Sequence, residues 1–225
     1  MNKVARLSAF VFLLSYFSVA QQPSTSPSAE EYAVMGAMLD GFHDAGRASH
    51  PIVADYTATF DCNSICNGMK VSGCNGLALN DETSEQRLTI VKRDLPDLDQ
   101  TTIPDFEAKN RHCSKIADKI PSQSPFFLFG NDHPQKLPAG WEKADFFYFS
   151  RVGFNAQRTQ ALVSVSFMSG TDGTRSGGKY FLLRHENGKW IPVESSIVWQ
   201  LTSREAWSQI SPRSPCLRGE IDFYA

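Results

Sequence analysis

No apolar run after residue 17 is long enough to cross a bilayer, because a membrane-spanning helix needs about 20 consecutive apolar residues. The chain also lacks an excess of one charge, since its 22 Lys and Arg residues are nearly balanced by 24 Asp and Glu residues. A nucleic-acid-binding domain usually carries a clearly basic patch. The composition therefore argues against a nucleic-acid partner and predicts no transmembrane segment after signal removal.

Common catalytic and cofactor-binding motifs are missing as well. The sequence has no G-x-S-x-G turn, no H-E-x-x-H pair, no P-loop and no G-x-G-x-x-G fingerprint. The histidines, at positions 43, 50, 112, 133 and 185, do not have metal-ligand spacing. We therefore expect neither a metal nor a cofactor. Catalysis is less expected than binding, although active sites are also assembled from scattered residues.

The first residues have the pattern of a secretory signal peptide. Lys3 and Arg6 precede an apolar run over 7–17, and the small residues at 18–20 suit a signal peptidase. We expect a signal peptide over 1–20, a flexible Pro/Ser-rich leader over 21–29 and a single α+β domain over 30–225. The protein is therefore expected to be exported, to the periplasm or the extracellular space.

The stretch DCNSICNGMKVSGCNG, residues 61–76, holds three of the five cysteines. Disulfides persist in the oxidising compartments that exported proteins reach. The spacing matches neither a zinc site nor a C-x-x-C redox motif. We therefore predict a disulfide-stapled insert with one internal bridge, a second bridge from a remaining loop cysteine or Cys113 to Cys216, and one cysteine left over. The disulfide candidates are Cys62, Cys66, Cys74, Cys113 and Cys216.

Helices and strands alternate in the N-terminal half. Ser28 and Glu31 form a capping-box pattern ahead of apolar residues at helical spacing, which predicts a helix ending near 41–46. The run PIVADYTATF, residues 51–60, alternates with a period of two and predicts a half-buried strand. A short helix is expected over about 83–93.

Another helix is predicted to start around Thr102, because threonine caps a helix and proline fits its first turn. Phe106, Cys113, Ile116 and Ile120 have helical spacing, so we expect this helix to continue until Pro121 stops it.

Four β-rich runs follow residue 144. Asn187-Gly188 is a strong hairpin signal, because a type I′ turn needs positive φ at both central positions. Alternate apolar residues over 161–167 mark one buried face, and a short last helix is expected over 201–210. The predicted fold class is α+β, with an antiparallel β-meander sheet packed by the N-terminal helices.

These runs resemble a known family. Its pattern SRVGFN, QALV, Y-x-L-L, NGKW and a final Trp occurs here at 150–155, 160–163, 180–183, 187–190 and 199. Earlier landmarks are EYAV at 31–34, D-x-T at 55–57 and D-F-x-x-K-N at 105–110. The family comprises exported bacterial proteins whose domain has no assigned function. The resemblance implies export and a shared fold, names no catalytic residue, and does not include the insert at 61–76.

Arg151 is the leading candidate for ligand binding. Its planar guanidinium can bind a carboxylate or a phosphate, or it can pair with an internal acid such as Asp55 and hold the fold together. Asp55 and Thr57 share the second face of their strand, where Asp55 is either a general base or a paired or solvent-facing acid. With Asn155, which ends the SRVGFN run, these residues form the predicted ligand-binding set.

Two functions are open at this point. The favoured hypothesis is a non-enzymatic secreted or periplasmic module that binds an unknown small molecule or protein; the alternative is a hydrolase-like enzyme with its site around Arg151 and Asp55. The run PFFLFG, residues 125–130, has no polar face, so it is either a buried central strand or an exposed contact patch.

Overall fold

The computed structural model describes residues 26–46, 50–58, 65–66, 69–70, 84–130, 137–139, 141, 144–169 and 175–201. The predicted signal peptide, most of the leader and the insert, most of the helix expected over 201–210, and Cys216 lie outside the described residues. Within the described ranges the elements are α1 (Ala29–Asp44), β1 (Ile52–Ala54), β2 (Ile65–Cys66), β3 (Met69–Lys70), α2 (Ser84–Asp94), α3 (Thr102–Lys109), β4 (Phe127–Phe129), β5 (Phe146–Phe149), β6 (Gly153–Phe154), β7 (Gln160–Ser169), β8 (Arg175–Glu186) and β9 (Lys189–Leu201).

Seven of these strands form one mixed sheet. Their order is β4-β1-β5-β7-β8-β9, and β6 pairs with the start of β7. β1 pairs in parallel with β4 and β5, whereas β5, β7, β8 and β9 pair antiparallel in succession. The α+β class is confirmed, but the sheet is not purely an antiparallel meander. Parallel neighbours need a long crossover, and α2 and α3 lie in the one between β1 and β4.

Helix α1 begins as its capping box predicts. The Ser28 hydroxyl accepts a hydrogen bond from the Glu31 N–H at 3.2 Å, and the Glu31 carboxylate accepts one from the Ser28 N–H at 2.8 Å. The apolar side of the helix covers one face of the sheet, which we call the α1 face. The residues buried there together include Tyr32, Met35, Leu39, Phe42, Val53, Phe147, Val163, Val165, Phe181 and Leu183.

The opposite face, which we call the α3 face, carries two further clusters. One contains residues of α2, α3, β7 and β8, among them Phe106, Leu162 and Leu182. The other contains Ile52 and Phe146, with half-buried aromatic residues packed against it. The helices therefore lie on both faces, and this explains why β1 is buried throughout rather than half-buried as its alternation predicted.

Helix α3 ends at Lys109, and the prediction that it continues to Pro121 is wrong. The Asn110 N–H and side chain both donate to the Phe106 carbonyl, which completes the last turn. The following segment pairs with the continuation of β1, where Thr57 N–H donates to the Ser114 carbonyl and Ile116 N–H donates to the Asp55 carbonyl. Backbone hydrogen bonds to β1 therefore replace the helix that the apolar spacing indicated.

The hairpin between β8 and β9 follows the sequence prediction. Asn187 and Gly188 have φ values of 50° and 76°, as a type I′ turn requires. The PFFLFG run is neither a buried central strand nor an exposed contact patch. Its strand β4 is at the end of the strand order, yet Leu128 is buried and the two phenylalanines of the strand are half-buried. Parallel pairing with β1 decides this placement.

Candidate functional site

Arg151 is buried in a closed ion pair with Glu31 of helix α1. The Arg151 Nε donates to Glu31 Oε1 at 2.7 Å, and Nη2 donates to Glu31 Oε2 at 2.9 Å. The Nη1 group donates to the Ser114 hydroxyl at 2.9 Å. The side chains of Arg151 and Glu31 are 4% and 1% exposed. The acidic partner is therefore the capping residue of α1, and not Asp55, which was the acid suggested by the sequence.

Glu31 is held in its charged form by this arrangement. Burial alone would raise its pKa, but hydrogen bonds from Arg151 and Ser28, with the positive charges of Arg151 and Lys109, outweigh burial and lower the pKa from 4.5. Its Oε1 atom also accepts the Val152 N–H at 3.2 Å. One carboxylate thus caps a helix and neutralises a buried guanidinium.

Two of the sequence motifs, D-F-x-x-K-N and S-R-V-G-F-N, meet at this point. On α3, the Asp105 carboxylate accepts the Phe154 N–H at 2.8 Å, and the Lys109 ammonium donates to the Val152 carbonyl at 3.0 Å. Asn110 accepts the Arg151 N–H at 2.8 Å and donates to the Arg151 carbonyl at 3.0 Å. The D-F-x-x-K-N motif therefore binds the backbone of the R-V-G-F segment.

Gly153 is required for the same contact. A Cβ atom at this position would lie 2.4–2.6 Å from the Phe106 Cβ, Cα and N atoms. A side chain here would push α3 away from the strand, so the glycine permits close approach of the two backbones.

The other predicted ligand-binding residues are also buried. Thr57 is 0% exposed, and its hydroxyl accepts the Ser114 N–H at 2.9 Å. Asp55 is 3% exposed and lies so close to Gly130 that a Cβ there would be 1.9 Å from its carboxyl carbon. The Ser114 hydroxyl also accepts a hydrogen bond from Arg151, so Ser114 links Arg151 to Thr57.

Asn155 lies in a separate group of contacts. Its side-chain oxygen Oδ1 accepts the N–H groups of Thr159 and Gln160 at 2.8 and 2.9 Å. Its amide donates to Asp99 at 3.2 Å, which ties the turn before β7 to the segment ahead of α3. These contacts order a loop and are separate from the contacts that join Arg151 to Thr57 through Ser114.

The described residues include no cluster of His, Cys, Asp and Glu side chains that could hold a metal ion. Cys113 is disulfide-bonded, and because the side chain of its partner lies outside the described residues, the connectivity stays a prediction.

A different group of side chains on the α3 face combines aromatic rings with a serine. Tyr148 on β5 is opposite Ser166 on β7, so both side chains point to the same face. The Tyr56 and Tyr148 rings are 6.4 Å apart. Trp141 and Met168 pack with Tyr148 against the cluster of Ile52 and Phe146. We call Tyr56, Trp141, Tyr148, Ser166 and Met168 the Tyr148 patch.

The Tyr148 patch has a buried floor and half-buried sides. Ser166 is 4% exposed, and its hydroxyl is one of three buried side-chain polar atoms without a hydrogen-bond partner in the part of the chain that the structure describes. A buried hydroxyl without a partner costs about 1–3 kcal/mol. The other four side chains of the patch are half-buried. A molecule on the patch would therefore contact the half-buried rings, whereas the Ser166 hydroxyl is closed off from the surface.

Tyr148 is uncharged at neutral pH. Burial, and to a smaller degree Tyr56, raises the pKa of the Tyr148 phenol above its usual value of 10.0. The phenol therefore keeps its proton and can donate a hydrogen bond.

Sequence reasoning missed the Tyr148 patch because its members come from four separate segments. Alternation within D-F-F-Y-F and within S-V-S-F-M places Tyr148 and Ser166 on defined strand faces. Only the strand pairing brings those faces together. The available local signal was the alternation of Ser164 and Ser166 with the valines of β7.

Comparison with known proteins gave no relatives: no family model, no curated protein and no solved structure matches the chain. The family resemblance inferred from the SRVGFN pattern therefore stays a prediction. Among the described residues, no helix is both long and apolar enough to span a membrane.

Proposed function

We propose that the protein is an exported, non-enzymatic module that binds a small molecule through the Tyr148 patch. The observation that supports the proposal is the group of half-buried aromatic side chains on the α3 face, Tyr56, Trp141 and Tyr148. Ligand pockets are mostly apolar and aromatic, with a few placed polar groups. The patch has this composition.

The hydrolase-like alternative receives less support. It requires Arg151 or Asp55 to converge with other titratable groups on a substrate. The Arg151 guanidinium donates instead to Glu31 and Ser114 inside the fold. Because both charges are buried, freeing Arg151 from Glu31 to bind a substrate would be costly. Arg151 is therefore better explained as the residue that joins α1 to the sheet.

Native mass spectrometry of the protein purified from the exported fraction tests the proposal. We expect a mass excess over the oxidised polypeptide that disappears on denaturation, which identifies a co-purifying small molecule. The same spectrum, with and without reduction, reports the mature N-terminus and the number of disulfides among the five cysteines.

Two variants locate the bound molecule. Tyr148→Ala should lose the mass excess while retaining its circular dichroism spectrum. Ile197→Ala is the control, because Ile197 is 53% exposed on β9, and it should retain the molecule. Release from both variants, or a native protein of polypeptide mass that binds no small molecule, would contradict the proposal.

A further inference from the structure

We infer that residues 217–224 cover the outer edge of β9 as an additional antiparallel strand of the sheet. The segment lies outside the described residues. The reasons for this pairing are the exposed surface of β9 and the sequence that follows it. The pairing does not depend on the proposed function, because β9 contributes no residue to the Tyr148 patch.

Strand β9 is an edge strand with exposed apolar side chains. It is last in the strand order of the described sheet, with β8 as its neighbour. The exposed large hydrophobic residues of the described chain, Ile191, Val193 and Ile197, all lie on this strand. Natural proteins block such edges with Lys or Pro residues, bulges or a covering segment. The two register shifts between β8 and β9 leave these side chains exposed, and residues 193–201 contain neither Lys nor Pro. A covering segment is therefore expected.

The exposed residues lie on both faces of β9, which favours a neighbouring strand over a cover on one face. Ile197 is opposite Lys179, which shares a strand face with Phe181 of the α1 face. Ile191 is opposite Arg184, on the side of the α3 face. A strand beside β9 places its side chains alternately on the two faces. It therefore covers both residues and also pairs the outer backbone groups of β9.

Residues 217–224, with the sequence LRGEIDFY, have the period-two pattern of such a strand. The odd positions hold Leu, Gly, Ile and Phe, whereas the even positions hold Arg, Glu, Asp and Tyr. The chain continues for 24 residues after Leu201, and the 15 residues of 202–216 connect β9 to the segment. A connection of this length is ample for an antiparallel return, and it keeps the segment at high effective concentration beside β9.

The charges around β9 decide which way the segment faces. Two partly exposed ion pairs, Arg93 with Asp94 and Arg184 with Asp97, lie beside β8 and β9 on the α3 face. The even, polar positions of the segment therefore belong on that face, where charged groups remain near water. The odd, apolar positions then lie beside Ile197 on the α1 face, where their burial stabilises the pairing.

The pairing excludes one of the predicted disulfides. Cys113 precedes Ser114, whose carbonyl accepts the Thr57 N–H in the continuation of β1. In the order of this segment, β1, β5, β7, β8 and β9, five strand spacings of about 4.8 Å separate it from β9. The Cα atoms of a disulfide lie within about 7 Å of each other, and Cys216 directly precedes the added strand. A bridge between Cys113 and Cys216 is therefore incompatible with the pairing.

Solution NMR of the full mature protein, isotope-labelled and oxidised, tests the pairing directly. We expect nuclear Overhauser effects between amide protons of 217–224 and those of β9, and slow hydrogen exchange of the outer amides of β9. A dimer joined through β9 would overturn the inference. Fast exchange of those amides, without contacts to 217–224, would overturn it as well.

Two neighbouring substitutions test the assignment of faces. Ile221→Ser removes an apolar side chain from the α1-face side, so hydrogen exchange in β9 should become about tenfold faster or more. Asp222→Ser is the matched control, because it introduces the same residue on the opposite face, and exchange in β9 should stay within about twofold of the wild type. Unchanged exchange in β7 shows that the fold of each variant is intact. Equal effects of the two substitutions on β9 would contradict the pairing.

Peptide mapping of the unreduced protein provides an independent test. A bridge from Cys113 to Cys62, Cys66 or Cys74 agrees with the pairing, whereas a bridge from Cys113 to Cys216 overturns it. None of these measurements uses a ligand, so their failure leaves the proposal for the Tyr148 patch unaffected.

Discussion

Glu31→Gln should destabilise the fold far more than a surface charge change does. The carboxylate of Glu31 accepts four hydrogen bonds, two from Arg151, one from Val152 and one from Ser28, at 2.7–3.2 Å. The substitution leaves a guanidinium that is 4% exposed without its countercharge, and it replaces one of the two oxygens that accept from Arg151 by an NH2 group. Removing one member of a buried ion pair costs about 3–5 kcal/mol. We therefore expect a loss of about this size.

Urea denaturation of the oxidised mature protein at pH 7 measures this loss. The matched control is Glu30→Gln, because Glu30 is the preceding residue of α1 and pairs with Arg158, whose side chain is 60% exposed. A solvent-exposed pair contributes less than about 1 kcal/mol, so the control should remain close to the wild type. Both variants change one carboxylate to an amide in the same helical turn.

A double-mutant cycle with Arg151→Met isolates the interaction itself. The two single variants and the double variant should show a coupling free energy of at least about 2 kcal/mol, because each single change leaves one group buried without its partner. Additive effects of the two changes, or a Glu31→Gln loss equal to that of Glu30→Gln, would refute the description of this pair as the link between α1 and the sheet.

Three further predictions concern the same region. The pKa of Glu31 is lowered in the fold, so its stabilising effect is complete above the unfolded-state pKa and is lost as the pH falls through the lower folded value. The stability difference between wild type and Glu31→Gln should therefore shrink below about pH 4. Acid titrations followed by circular dichroism measure this difference. Gly153→Ala should lower the unfolding free energy by about 1–3 kcal/mol, since its Cβ collides with the Phe106 backbone, and an unchanged urea midpoint would contradict the close approach of α3. Gly130→Ala should destabilise by a similar amount because its Cβ would overlap the Asp55 carboxyl group, and a crystal structure of the variant with Asp55 unmoved would show this explanation to be wrong.

Local sequence signals were sufficient where the decisive interaction spans a few residues. The Ser28–Glu31 box and the Asn187-Gly188 turn were predicted because each depends on neighbours within one turn of chain. Long-range pairing was not predictable in this way. The predicted helix after Thr102 ended early because residues 114–116 bond to β1, about sixty positions earlier.

The candidate residues illustrate the same limit. Arg151 was singled out correctly as unusual, since an arginine inside a β-rich run must find a partner. Its partner Glu31 is 120 positions away, and the sequence supplied a reason to place Glu31 in a helix cap and no reason to pair it with Arg151. Asp55 and Thr57 were expected on the second face of their strand, facing a ligand, solvent or Arg151, and nothing in the sequence indicated that the segment around Ser114 covers Thr57.

The sequence alone determined the local geometry of this protein: where α1 begins, where β8 turns into β9, and which alternate residues of β7 are apolar. These features follow from backbone conformation and from the periodicity of side chains along one segment. Only the tertiary structure decided that β1 lies between two parallel strands, that Glu31 neutralises Arg151, and that Tyr148 faces Ser166. Those outcomes depend on which distant segments become neighbours, and no residue carries that information by itself.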